Sequence, residues 1–115
     1  MNRGVSEHDW DDGGWPTNGI DIGSGQAILF VTTARSPLTI AGHEHAYGLL
    51  WYHRRPDGAA CSGGVAFEGN GIDDGAHWTV ESEEPLTLAP SIHCVAEAGG
   101  CGMHGWIREG RWVQA

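Results

Sequence analysis

The side chains best suited to chemistry lie near the C-terminal end of the chain, in the segment Cys94-Val-Ala-Glu-Ala-Gly-Gly-Cys101-Gly-Met-His104. Zinc is held in proteins by four thiolate or imidazole ligands in a tetrahedron, and a Cys-x2-His spacing lets one tight turn supply two of them. Cys101 and His104 have this spacing, and Gly102 can adopt the positive φ that such a turn often requires. Cys94 lies close enough upstream for the Ala-Gly-Gly loop to fold back. The segment therefore predicts three ligands of a zinc site.

The fourth ligand is expected from a hairpin predicted around residues 55–58, Arg-Pro-Asp-Gly. Pro at the second position and Gly at the fourth are typical of a three-residue hairpin loop that is closed by a left-handed Gly. In that register His53 lies opposite Cys61. Cys61 is favoured as the fourth ligand and His53 is its alternate. The full predicted set is Cys61, Cys94, Cys101 and His104.

The number of ligands decides what such a site does. Four protein ligands make a structural zinc site, whereas three ligands and a bound water make a catalytic one. The competing interpretation needs no metal, because free cysteines are among the most buried residue types and His104 could be an ordinary hydrogen-bonded histidine.

Two other groups could carry chemistry. On a strand, His43 and His45 would point the same way and could hold a catalytic metal beside Glu44, but the preceding Ala-Gly favours a polar surface loop. Ser91 follows Pro90 and lacks the Gly-x-Ser-x-Gly context of a strained nucleophile. The sequence therefore gives no support for serine-hydrolase chemistry.

Strands rather than helices are expected to position these side chains. β-Branched and apolar runs of strand length recur, and no segment shows a sustained 3.6-residue pattern; the runs lie at 26–33, 38–40, 46–53, 63–67, 77–81, 86–88 and 105–113. We therefore predict a mainly β single domain of antiparallel hairpins over residues 26–115. Residues 1–25 combine Gly, Asp, Asn and Pro around Trp10 and Trp15, and we predict an irregular or flexible arm there.

The closing hairpin has two candidate registers. A three-residue loop over residues 108–110 would place Trp106 opposite Trp112, where the two rings could pair across the strands. A two-residue turn of Glu109 and Gly110 would shift that register by one. The sequence does not decide between them.

Composition excludes several classes of function. The chain has 115 residues, a net charge of −9 and six basic residues, all of them Arg, so binding to nucleic acid is not expected. No apolar run is long enough to span a bilayer and the start lacks the hydrophobic part of a signal peptide, which predicts a cytoplasmic protein. An odd number of cysteines, three, fits free thiols or metal ligands better than disulfides.

The last third of the chain resembles a family of small proteins of unknown function from actinobacterial phages and their hosts. The family pattern reads W-x-V…PLTLSPS-x-x-C…C-x-x-HG-x-IR-x-GRWV-P-A, and the resemblance runs from Trp78 to Ala115. The matching positions are 85–88, 90–91, Cys94, Cys101, 104–105 and 107–113. The resemblance implies that Cys94, Cys101 and His104 are zinc ligands and that the chain is a phage or prophage accessory protein. It implies no activity.

Two functional hypotheses follow. The first is a non-enzymatic, zinc-stabilised β module that binds a host or phage protein through its acidic surface and through Trp10 and Trp15. The alternative is a small metal-dependent, hydrolase-like enzyme that uses an open Cys/His site or His43 and His45. The number of protein ligands at the metal distinguishes the two hypotheses.

Overall fold

A computed structural model of the protein describes residue 11 and residues 13–72, 75–95 and 100–115. These residues form β-strands and no helix, which confirms the predicted mainly β, antiparallel fold. No helix in this part of the chain is long and apolar enough to cross a membrane. The strands are β1 Ile20–Gly23, β2 Gln26–Thr32, β3 Thr39–Ile40, β4 His43–Glu44, β5 Ala46–Arg54, β6 Ala60–Ala66, β7 Thr79–Glu83, β8 Leu86–Ala89, β9 Ile92–His93, β10 His104–Arg108 and β11 Arg111–Gln114.

The largest sheet has four antiparallel strands in the order β1-β2-β5-β6. Its β5–β6 hairpin has the register predicted from the Arg-Pro-Asp-Gly turn, because the Arg55 amide donates to the Ala59 carbonyl at 2.8 Å and Gly58 has a φ of 89°. His53 therefore lies directly opposite Cys61. This pairing brings a histidine and a cysteine to one face of the sheet.

The second sheet has three strands in the order β11-β10-β9. Its closing hairpin uses the two-residue turn, with positive φ values of 52° at Glu109 and 77° at Gly110. Trp106 consequently lies opposite Val113, and Trp112 lies opposite Ile107. Trp106 and Trp112 therefore point to opposite faces, and only Trp112 is buried.

The hydrophobic core contains residues of both sheets. Trp51 of β5 stacks on Trp112 of β11, with ring centroids 4.8 Å apart. Both indoles are buried, at 1% and 6% exposure. Trp51 also donates its Nε1 hydrogen to Oε1 of the buried Gln26 at 2.7 Å. This aromatic contact fixes the second sheet against the first.

Regular structure begins earlier than the sequence predicts. Residues 20–23, inside the expected arm, form the edge strand β1 and pair with β2 because Ile22 buries its side chain in the core. Trp15 is half-buried on its own domain, edge-on to Tyr52 with centroids 6.0 Å apart and under the Arg54 guanidinium at 4.2 Å. Trp10 lies outside the described residues.

Candidate functional site

Four potential metal ligands meet between the two sheets. His53 lies near the end of β5, and Cys61 lies opposite it on β6. Cys94 follows β9, and Cys101 precedes β10. Their ligand atoms all lie within 4.8 Å of one another. Among the described residues this is the one group of three or more His, Cys, Asp or Glu side chains that could hold a metal ion.

The spacing of these atoms resembles that around a tetrahedral ion. A zinc ion with bonds of about 2.3 Å to sulfur would hold its thiolates about 3.8 Å apart. The Sγ atoms of Cys61 and Cys94 are 3.6 Å apart, and His53 Nε2 lies 3.1 Å from Cys101 Sγ. The four side chains therefore fit one small ion with no position left open for water.

The electrostatics of the cluster suit a cation. Burial lowers the pKa of His53, so its imidazole is neutral and free to act as a ligand. Burial and hydrogen bonds with the neighbouring thiols raise the pKa of Cys61 to about 11. At Cys101, burial acts to raise the pKa, but hydrogen bonds to the sulfur, first from the Met103 amide, lower it overall. A cation bound between the sulfurs would stabilise their thiolate forms.

Backbone hydrogen bonds hold together the two cysteines of the connection between β9 and β10. The Cys101 amide donates to Cys94 Sγ at 3.3 Å, and the Gly102 amide donates to the Cys94 carbonyl at 2.7 Å. Gly102 has a φ of 87°, as its place in the Cys-x2-His spacing predicts. The Cys94 amide in turn donates to the Met103 carbonyl at 2.8 Å. Residues 96–99, between these two cysteines, lie outside the described part.

His104 does not join the cluster, and His53 takes the place that was predicted for it. His104 is the first residue of β10, where side chains alternate between faces. Gly105 and Ile107 occupy the buried face, so His104 lies on the outer one beside His93, with ring centroids 4.9 Å apart. The Cys-x2-His spacing misled the prediction because β10 begins at His104 and its direction turns the imidazole away from the cluster.

The outer face instead pairs His104 with a serine. His104 Nε2 lies 2.8 Å from Ser91 Oγ, and both residues are half-buried. Ser91 directly precedes β9, whose His93 pairs with His104 across the strands. The indole Nε1 of Trp78 donates to the Ser91 carbonyl at 3.1 Å and fixes its backbone.

This pair gives serine-hydrolase chemistry a geometric basis that the sequence patterns did not provide. The Gly-x-Ser-x-Gly elbow belongs to one fold, whereas a serine and a histidine can meet in any fold that places them within hydrogen-bond distance. The only signal in the sequence was that Ser91 and His104 both fall on the quoted family pattern.

His43 and His45 are engaged separately. β4 ends at Glu44, and His45 has a φ of 57°, so the two histidines do not lie on one continuous strand. The His43 ring stacks on Phe30 with centroids 4.1 Å apart, and His45 Nδ1 lies 3.0 Å from the Ser36 carbonyl. Within the described ranges neither belongs to a group that could hold a metal.

Comparison with known proteins gives one result that bears on function. No curated protein and no solved structure matches the chain. Residues 38–115 match the family described as "Bacterial ubiquitination-like system serine protease (BubE)". The matched range contains the four-ligand cluster as well as Ser91 and His104. It covers more than half of the chain, which therefore belongs to the BubE family of bacterial ubiquitination-like system serine proteases.

Proposed function

We propose that this protein is a serine protease of a bacterial ubiquitination-like system, with Ser91 as its nucleophile and His104 as its general base. The observation that carries the proposal is the distance of 2.8 Å between Ser91 Oγ and His104 Nε2. A nucleophile and a base within hydrogen-bond reach are the minimum for acyl transfer. The family description supports the same class of reaction.

The chemistry follows from this geometry. When His104 carries its proton on Nδ1, Nε2 can accept the Ser91 proton as Oγ attacks the carbonyl carbon of the scissile peptide bond. The imidazolium then returns a proton to the leaving amine as the carbon–nitrogen bond breaks, which leaves an acyl ester on Ser91. Water, deprotonated by the same Nε2, hydrolyses the ester and regenerates the serine.

The metal cluster has a structural part in this proposal. Three thiolates and one imidazole are ligands that zinc prefers, and four protein ligands leave no position for a reactive water. Cys94 and Cys101 flank the loop that joins β9 to β10, and these strands place Ser91 and His104 together. The ion would thus fix the loop between β9 and β10 and so keep Ser91 close to His104. It would not contact the substrate.

The expected partner is a protein substrate. A protease within a ubiquitination-like system acts on protein. The protein partner expected from the sequence would then be the substrate that is cleaved. The family description favours hydrolysis over the purely binding module predicted from the sequence. The phage origin implied by the resemblance stays a prediction.

Active-site labelling tests the proposal without knowledge of the natural substrate. A fluorophosphonate probe reacts with an activated serine, so we expect stoichiometric labelling of the wild type, mapped by mass spectrometry to Ser91. Ser91→Ala should abolish the adduct, and His104→Gln should slow labelling by about 100-fold or more because the base is lost. The exposed Ser62 offers a matched control, and Ser62→Ala should label like the wild type. A folded, metal-loaded wild type that is not labelled would overturn the assignment.

A further inference from the structure

The outer face of β10 continues beyond His104 as a row of large side chains. His104, Trp106 and Arg108 alternate with the buried Gly105 and Ile107. Trp106 and Arg108 therefore lie on the same face of β10 as His104. The His104 and Trp106 rings are stacked with centroids 6.0 Å apart. The Arg108 guanidinium lies over the Trp106 ring, 4.9 Å from its centroid.

The row ends in a positive charge, that of Arg108, on a protein whose net charge is −9. The chain holds fifteen acidic residues against six arginines, yet Arg108 has no carboxylate partner in the described part of the protein. Its cross-strand neighbour is another arginine, Arg111. Like charges placed opposite one another destabilise a sheet, so this pairing does not itself stabilise the hairpin. Trp106 holds the Arg108 guanidinium by a cation–π contact, which engages the face of the guanidinium and not its N–H donors.

We propose that Arg108, stacked on Trp106, is a specificity subsite that binds an acidic side chain of an extended protein substrate; this inference rests on the proposed protease function. Strands advance about 3.3 Å per residue, so Arg108 lies roughly 13 Å along β10 from His104. A substrate lying along this face in an extended conformation would reach Arg108 about four residues from its scissile bond. The guanidinium can bind a carboxylate with two parallel hydrogen bonds, and no other charge on the row competes for it.

The test uses quenched fluorogenic peptides, each with Asp, Asn or Lys at one position up to six residues from the cleaved bond on either side. At one position, about four residues from the cleaved bond, the charge should matter. There the KM of the wild type for the Asp peptide should be about fivefold lower than its KM for the Asn peptide. This preference should shrink as salt is raised. Arg108→Gln should remove it by raising KM with kcat unchanged, and Arg108→Glu should reverse it towards Lys.

Arg54 provides the matched control. It lies on the four-stranded sheet, and its guanidinium makes a similar contact with the ring of Trp15. Arg54→Gln should keep the full preference for Asp. A wild type that cleaves Asp, Asn and Lys peptides equally at every position would overturn the subsite, as would an unchanged preference in Arg108→Gln. Fluorophosphonate labelling of Ser91 reports the protease function independently. Labelling without charge preference therefore rejects only the subsite, whereas absence of labelling rejects the protease assignment itself.

Discussion

At the scale of single residues, His53 and His104 lie in contrasting environments. His53 is completely buried with its Nε2 directed at a thiol, whereas His104 is half-buried with its Nε2 on a hydroxyl. A metal ligand needs a neutral, immobile imidazole, and a general base needs one that reaches the substrate. The two environments therefore suit a structural role for His53 and the proposed catalytic role for His104.

This separation predicts opposite phenotypes for two matched substitutions. His53→Ala should lose the bound metal, which is measured by plasma mass spectrometry of the purified protein. His104→Ala should retain one zinc per chain and lose fluorophosphonate labelling. Cys101→Ser should behave like His53→Ala. Loss of metal from His104→Ala together with retention in His53→Ala would restore His104 to the ligand set.

The thiols should also differ in reactivity once the metal is removed. Burial and thiol hydrogen bonds raise the pKa of Cys61 to about 11, so at pH 8 only about one molecule in a thousand carries its thiolate. The pKa of Cys101 is lowered, and that side chain is less buried. In chelator-treated protein, N-ethylmaleimide should modify Cys101 well before Cys61, as mapped by peptide mass spectrometry. Zinc should protect both, and equal rates for the two thiols would contradict the assignment.

At the scale of elements, a column of stacked rings connects the Cys/His cluster to β10, the strand that begins with His104. His53 stacks on Trp51 with centroids 4.1 Å apart, and Trp51 stacks on Trp112. The Trp112 ring lies against Gly105, the residue after His104, so closely that a Cβ at this position would overlap the ring and the Val113 carbonyl oxygen. β10 can therefore approach the column only with glycine at residue 105.

Gly105→Ala should consequently displace β10 and damage the site. We expect a loss of about 1–3 kcal/mol in the free energy of unfolding, as for other overpacked core positions. Fluorophosphonate labelling should fall with it because His104 moves away from Ser91. Gly64→Ala is the control, since a Cβ on that exposed strand residue meets no atom within 4 Å. Equal unfolding midpoints for the two variants in urea would show that the close approach is not required.

The same elements explain which features could be predicted from the sequence. The β5–β6 register was predictable because the Arg-Pro-Asp-Gly turn fixes it locally, and with it the meeting of His53 and Cys61. The position of His104 outside the cluster was not predictable, because the side to which its imidazole points depends on where β10 begins. The pairing of Ser91 with His104 depends on β9 meeting β10 across a loop, and no local pattern encodes that contact.

At the scale of the whole molecule, the metal cluster joins parts of the chain that are distant in sequence. His53 and Cys61 belong to the four-stranded sheet, and Cys94 and Cys101 belong to the loop between β9 and β10. An ion bound here would crosslink the two sheets. It would also close the chain segment between Cys94 and Cys101 and so limit how far Ser91 and His104 can move apart. Because the unfolded chain has no preformed site, the binding energy of the ion adds directly to folding stability.

Removal of the metal should lower stability and active-site labelling together. Treatment with a chelator should reduce the thermal unfolding midpoint, followed by circular dichroism, and the rate of fluorophosphonate labelling should fall in the same proportion as metal content. Added zinc should restore both, because it re-forms the crosslink that positions the serine and the histidine. A metal that took part in hydrolysis would behave differently, since peptide cleavage would stop on chelation while labelling and the unfolding midpoint stayed unchanged. That outcome would indicate a catalytic role for the metal, which is not expected for a site with four protein ligands.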